Sequence, residues 1–312
     1  MNMNQKNFGY GKTLRFAGES LLKIEAERSG GRYAWLKTNI YRWRKFCRYC
    51  QTADINDARK ISNDTVFTYA KQICELAPAS QQCAISTINI VMALLTGANW
   101  EAVSPSKITG TRRSNIRRTP GSIDKTVLSS ACFEIENQHG ARFALAVALA
   151  NEFGLRRRET FLFEFHTARL EAKKNGDIDI FRGSKGGRSR AIPRLVSASE
   201  TGIKVIEALC KTFPEERCLL LNEAYKETSD QLSRKVLPIL KQFGIKRFHE
   251  LRVNFACRRY QELTGIAPPC DNDFSVEIDE LIDLKARSII SEELGHSRVE
   301  ILNSYIGSIY AR

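Results

Sequence analysis

No apolar run among the 312 residues approaches the ~20 needed to cross a bilayer, and the opening MNMNQKNFGYGK lacks the apolar stretch of a secretory signal. On these absences a membrane-embedded or exported chain is not expected, and the reading is a cytoplasmic one. A disulfide scaffold is excluded too: the nine cysteines are odd in number and fall without framework spacing, as reduced thiols do. Cys47 and Cys50 form a lone CxxC with no second pair to complete a zinc site, so both are expected on the apolar face of a helix. Histidine is scarce, with four in the chain, and acid is missing altogether from residues 104–122. Internal repeats and low-complexity blocks are absent as well.

Positive charge is what the chain has in excess. Forty-eight Lys and Arg stand against 35 Asp and Glu, a net of +13 with a pI near 9.4, which suggests a polyanionic partner. The excess is lopsided: residues 1–120 hold 19 basic against 8 acidic side chains, residues 121–312 hold 29 against 27. The first part therefore supplies the bulk attraction to phosphate, and the remainder must act more locally. The length fits two domains of ordinary size, and a hydrophobic share of 43% is ample for their cores.

Apolar spacing predicts helices over 12–29, 33–50, 63–76 and 81–97. In the second of these, Leu36, Ile40, Trp43 and Cys47 mark the buried stripe, and Trp35 and Phe46 are expected mostly in the core. Arg42, Arg44, Lys45 and Arg48 decorate the other faces and are candidates for phosphate contact. Residues 1–103 thus read as a helical DNA-binding domain with a short N-terminal arm. The Ser-, Gly- and Pro-rich stretch 104–122 reads as an interdomain linker that lies against DNA through Lys107, Arg112, Arg113, Arg117 and Arg118; a merely solvated linker is the alternative. Residues 123–312 read as a mostly helical unit, with helices over 123–137 and 140–153. Strands over 160–165, 177–183 and 188–193 give it one small antiparallel sheet, with a Gly-rich turn at 184–189.

Four segments of this second part line up in order: GLRRRE (154–159), GSKGGRSR (183–190), HELR (249–252) and LGHSRVEILNSY (294–305). Here the chain resembles the tyrosine recombinase, or phage integrase, family. That family's pattern is an Arg in a GLRxxE box, a Lys on a β-turn, an HxxR box, a GH box and a Tyr nine residues after that His. The likeness covers residues 123–310 well and residues 10–100, similar to a helical SAM-like core-binding domain, more loosely. The GYGKT opening, the SRVEILNSYIGS ending and the long segment before the GH box resemble the subgroup carried by bacterial integrating mobile elements.

The resemblance implies a mostly α fold with a small antiparallel sheet, two domains closing as a C-shaped clamp on duplex DNA, and a catalytic set of Arg156, Lys185, His249, Arg252, His296 and Tyr305. Physical chemistry asks for these residue types. Cutting a phosphodiester without a metal needs charge neutralisation, a nucleophile and a proton donor for the leaving 5′-oxygen. Arg156 and Arg252 would fork onto the non-bridging oxygens, since guanidinium is planar, bidentate and always charged. Arg157 and Arg158 are then surface neighbours, and Glu159 pairs with a nearby base. Lys185 would protonate the leaving oxygen, with Arg188 and Arg190 close enough to be alternatives. His249 and Arg252, at i and i+3 near a helix start, share one face. His296, read at another helix start, would hydrogen-bond the same phosphate. A phenol ordinarily titrates near pH ~10, so a tyrosine nucleophile must shed its proton as it attacks. Tyr310 is the rival to Tyr305, turned away from it by about 140° if one helix carries both.

By this resemblance the enzyme forms a 3′-phosphotyrosyl bond and needs neither cofactor nor metal, because the covalent link conserves the bond energy. Four protomers would exchange strands, with accessory DNA-bending or directionality proteins as further partners and the bacterial nucleoid as the place of action. A type IB topoisomerase or a catalytically inactive DNA-binding regulator are the alternatives. Two departures stand out. The spacing of 44 residues between Arg252 and His296 is about twenty longer than is common in the family. The acidic, partly apolar stretch near 266–288 is expected to be a surface insert or protein-contact element. Only seven residues follow Tyr305, where relatives use a longer segment to dock onto a neighbour; the insert is a candidate to replace it.

Overall fold

The computed structural model describes residues 4–30, 33–97, 99–112, 114–183, 193–271 and 278–310. The chain divides into two units, Met1–Ser114 and Asn115–Arg312, each with its own hydrophobic core. The division falls inside the stretch predicted as a linker. On the near side, Thr109 and Thr111 bond to Gln82 of the first unit; on the far side, Arg117 bonds to residues of the second.

Polar caps start the helices of the first unit. The Thr13 hydroxyl accepts the Phe16 N–H and opens α1 (Leu14–Arg28). After α2 (Tyr33–Thr52), Ser62 and Thr65 form a reciprocal capping box at α3 (Asn63–Gln72). Proline in the first turn and a left-handed glycine at the end bound α4 (Pro78–Thr96), and a short α5 (Pro105–Thr109) follows. Trp43 and Phe46 are fully buried, as their spacing predicted, and pack with Leu22, Ile85, Ile88 and Val91. Cys47 and Cys50 lie in the same core, where burial pushes the Cys50 thiol up to about 12 and the Cys47 thiol higher still. One sequence reading needs correcting here: α4 is by length and composition long enough to cross a membrane. It is the core helix of its unit, with 56% of that stretch buried inside the fold.

In the second unit α6 (Lys125–His139) and α7 (Ala141–Glu152) pack against each other and are joined at Gly140. Next come α8 (Arg157–Leu162), α9 (Phe165–Asn175), β1 (Asp177–Asp179) and β2 (Leu195–Ser197). The strands pair antiparallel with Ile178 opposite Val196, both fully buried. Then follow α10 (Glu200–Thr212), α11 (Tyr225–Gln231), a π-helical turn (Leu232–Val236) and α12 (Leu237–Gln242). The unit closes with α13 (His249–Thr264), α14 (Glu280–Glu293), a 3₁₀ turn (Val299–Leu302) and α15 (Asn303–Ile306). This is a mostly α fold with a small antiparallel sheet.

Two strand predictions change: the strand predicted over 177–183 is only Asp177–Asp179, and 160–165 is not a strand. Residues 160–165 are the end of α8 and the start of α9, because the Glu159 carboxylate caps the Arg156 N–H at 2.7 Å and starts a helix there. Phe161, Phe163 and Phe165 are all buried, and a short apolar run buried on every side has no period to separate strand from helix. The strand predicted at 188–193 falls largely at 188–192, outside the described residues; the strand that pairs with β1 is three residues long and begins at Leu195.

Candidate active site

The box at 154–159 is built around a turn that only glycine fits. Gly154 has φ +58°, and a Cβ there would sit 2.5 Å from the Phe255 ring. Leu155 is then driven into the core, which leaves Arg156 half-buried at the start of α8. Its guanidinium Nη1 donates to Glu159 Oε1 at 2.6 Å. Arg157 turns away to the hydroxyls of Ser229 and Ser233, and Arg158 lies over the Tyr225 ring, so Arg156 alone of the three faces Glu159.

Arg252 lies on the first turn of α13 and is fully buried. Its two terminal nitrogens donate to the carbonyls of Gly154 and Leu294, and Nε points at Tyr305 Oη, 3.3 Å away. The two carbonyls lock the guanidinium so that its Nε–Nη2 edge is turned to Tyr305 and to His296, whose Nε2 is 3.4 Å from Nη2. His249, at the head of the same helix, sets its ring 5.3 Å from that of Tyr305.

The GH box ends a helix rather than starting one, which corrects the sequence reading. Gly295 (φ +65°) donates to Glu292 O and His296 to Ser291 O, each at 2.8 Å. This is a Schellman cap with the glycine at its left-handed position. The cap aims His296 back at the site, where Nε2 comes within 3.2 Å of Tyr305 Oη. Tyr305 sits on α15, is 5% exposed, and has its hydroxyl between Arg252 and His296. The helix ends at Gly307, so Tyr310 shares no helix with Tyr305; it lies beyond, 73% exposed. No 140° turn of one helix therefore separates the two; Tyr310 is outside the cluster.

Part of the stretch read as a surface insert bonds to the tail that carries Tyr305. The Cys270 N–H donates to Ile306 O, and Arg287 of α14 reaches Asn303 and the carbonyl of Gly307. Arg287 is itself set by Asp283, which also accepts the Tyr260 hydroxyl at 2.6 Å. Arg117 adds a backbone bond to Asn303 O and spends its guanidinium on Glu250 and two carbonyls, so it braces the second unit. The outer side of α14 leaves Leu281, Ile282 and Leu284 exposed.

Beneath these groups lies Glu159, fully buried and facing three arginines. Its Oε2 is 2.9 Å from Nη1 of Arg194 and 3.7 Å from Nη1 of Arg252, while Arg156 holds both oxygens. Burial works against its charge, but Arg194, Arg252 and Arg156 win and hold its carboxyl down at about 2. For His296, burial and the charges of Arg252, Arg156 and Arg194 act together and lower it to about 4, so the ring is neutral at pH 7. Burial and the two other arginines bring even Arg252 down to about 10. Arg194 is the residue sequence reasoning missed. Its only signal is one charge set between Pro193 and the apolar Leu195–Val196.

Lys185 lies outside the described residues, as do Arg188, Arg190 and Arg113. In the first unit Arg42 and Lys45 are half-exposed and Arg48 is exposed, while Arg44 is engaged by Glu19 at 2.7 and 3.0 Å. Lys107, Arg112 and Arg118 are exposed. Among the described residues the one group with metal-ligand spacing is Cys257, Cys270 and Asp271, and the Asp271 carboxylate already accepts the N–H groups of Gly121 and Ser122.

Comparison with known proteins gives a family-model match over part of the chain and a shared fold. Residues 112–258 match the family model described as Integrase, a span that includes Arg156, His249 and Arg252 and ends before His296 and Tyr305. No curated protein matches the sequence. Among solved structures, the Tn1549 transposon integrase in complex with transposon right end DNA superposes with a TM-score of 0.62 at 12% identity, over 94% of this chain and 96% of that one. A lambda integrase dimer bound to a COC′ core site gives 0.60 at 16%, over 96% and 78%. The XerH site-specific recombinase bound to difH gives 0.56 at 18%, over 92% and 81%. The chain shares its fold with these DNA-bound integrases and this recombinase. The match to the Integrase family model thus falls on the part of the chain that holds Arg156, His249 and Arg252.

Proposed function

We propose that the chain is a site-specific DNA recombinase in which Tyr305 attacks a scissile phosphate, forms a 3′-phosphotyrosyl bond and releases a 5′-hydroxyl, which a partner strand later reverses. The observation that carries this reading is the position of Tyr305 Oη, 3.2 Å from His296 and 3.3 Å from Arg252 in a largely buried cluster. A phosphate meeting that hydroxyl also meets the Nε–Nη2 edge of Arg252, which offers two parallel donors to its non-bridging oxygens. Arg156 supplies the second positive charge. Neutral His296 is able to accept the phenolic proton, with His249 beside it, and Lys185 is assigned to the leaving oxygen.

Residues 1–103 serve as the core-binding domain, 104–122 as the basic connection and 123–312 as the catalytic domain. Arg42, Lys45, Arg48, Lys107, Arg112, Arg113 and Arg118 are the proposed phosphate contacts; Arg44 and Arg117 are weaker candidates because Glu19 and Glu250 hold them. Double-stranded DNA is the substrate, four protomers act together with accessory DNA-bending or directionality proteins, and the outcome is integration or excision of a mobile element at the bacterial nucleoid.

A nicked suicide duplex carrying the element's end tests this. Wild type and Tyr310→Phe should trap a covalent protein–DNA complex, and Tyr305→Phe should trap none, a loss of at least about 10⁴ in rate. Covalent product from Tyr305→Phe would overturn the assignment of the nucleophile. Joint molecules between two duplexes, against simple relaxation of a supercoil, separate recombination from topoisomerase action.

A further inference from the structure

We propose that Arg194 is a positioning residue of the reaction: by sharing the charge of Glu159 with Arg156 it leaves Arg252, and the part of the Arg156 guanidinium not bonded to Glu159, to hold the phosphoryl group. The inference rests on the recombinase reading above. Arg194 is 2% exposed and stands between two parts of the site. Nη1 lies 2.9 Å from Glu159 Oε2, and Nε donates at 2.6 Å to the carbonyl of Glu293. That carbonyl immediately precedes Leu294, whose own carbonyl anchors Arg252, and Gly295–His296. Its own N–H is held by Asp179 at 2.8 Å, which fixes the root of the side chain beside β1.

The charges explain why a third arginine is needed. A lone buried carboxylate between Arg156 and Arg252 would bind both of them and compete with the phosphate for the same guanidinium groups, since ion pairs strengthen as water is excluded. With Arg194 present, three guanidinium groups surround one carboxylate. The surplus positive charge falls on Arg252, which borders Tyr305 and His296, and on Arg156 nearby, and an incoming phosphoryl anion is what balances it. The same charge joins burial, Arg252 and Arg156 in keeping His296 unprotonated.

The test uses the full chain with Arg194→Met, Glu159→Gln and the double variant, and reads three things: trapping on the suicide duplex, noncovalent DNA affinity, and the rise in melting temperature given by orthovanadate, an analogue of the phosphoryl group in flight. Arg194→Met is expected to slow trapping about 100-fold, to change DNA affinity by less than about threefold, and to lose most of the vanadate-induced rise. Adding Glu159→Gln removes the competitor and should restore at least tenfold in trapping and part of the vanadate response. A merely structural arginine predicts the reverse, with the double variant no faster than Arg194→Met; that result overturns the proposal, as does a folded Arg194→Met with wild-type trapping. Should Arg194→Met not fold, the double variant against Glu159→Gln carries the test, since without the carboxylate the two should trap and answer vanadate alike. If wild type forms no covalent complex while the vanadate pattern holds, the recombinase reading fails and the role of Arg194 stands.

Discussion

The two units handle charge in opposite ways. Met1–Ser114 carries 17 basic against 8 acidic side chains, and among its described residues a single charged one, Asp57, is buried. Asn115–Arg312 carries 31 against 27, close to balance, yet it buries Glu152, Glu159, Glu164, Arg194, Arg252, Asp283, Arg287 and Glu293. Exposed charges of one sign build a long-range field, which salt screens and which no single residue dominates. Buried charges cost several kcal/mol each to desolvate, and the fold keeps them only where each has a partner. Net charge thus points to the unit proposed to attract DNA, whereas the unit assigned the chemistry is the one whose net charge looks ordinary.

That contrast makes its largest prediction at Arg252. Replacing it with Met leaves the carbonyls of Gly154 and Leu294 without a donor and removes one partner of buried Glu159. Denaturant melts should show a loss of about 3–5 kcal/mol, and the trapped complex should fall by at least about 10³. Arg48→Ala on the exposed face of α2 should stay within about 0.5 kcal/mol of wild type. Equal costs at the two sites would remove the distinction between the units.

The same contrast explains what could be read from sequence. Helices of the first unit were legible because their burial follows the chain: Trp43, Phe46 and Cys47 mark one face of α2, and the basic residues occupy the others. At the site, the residues that form spaced boxes were legible: Arg156, His249, Arg252, His296 and Tyr305 stand in the predicted order, and all but Arg156 touch or flank the Tyr305 ring or hydroxyl. Arg194 was not, since its partner Glu159 is 35 positions away and a lone Arg carries no period. The support of Tyr305 by Cys270 and Arg287 was hidden for a related reason. Its bonds run to backbone carbonyls and a side-chain amide of the tail, which impose no residue type that a sequence pattern could reveal.

A pH titration sharpens the comparison at intermediate magnitude. All four histidines lie in the second unit. His296 titrates at about 4 in the fold against an ordinary ~6.5, so the unfolded chain takes up its proton first and stability falls as pH drops from about 6.5 towards 4. His249 is lowered in the same direction by desolvation and by Arg252 and acts in the same sense. Glu159, held at about 2, should cost stability only below about 4.5. Hydrogen exchange on the full chain should therefore show the second unit loosening between pH 6.5 and 4.5 while the first holds steady, and His296→Asn should flatten that response. Loosening of both units alike would deny the histidine origin.

The smallest effects belong to the exposed charges of α2. Arg42→Ala, Lys45→Ala and Arg48→Ala should each weaken DNA binding without regard to sequence and lower the slope of log affinity against log salt by about one. Arg44→Ala should do less, because Glu19 already holds its guanidinium through two bonds and is itself held down at about 2 by that pairing. The informative variant is then Glu19→Gln. It removes an acid from the binding face and releases both Arg44 and Arg15, so nonspecific affinity at low salt should rise a few-fold and the salt slope should steepen. An affinity unchanged by Glu19→Gln, in a protein where Arg48→Ala does weaken binding, would place the Arg15–Glu19–Arg44 cluster off the DNA-facing side of α2 and leave that side to Arg42, Lys45 and Arg48.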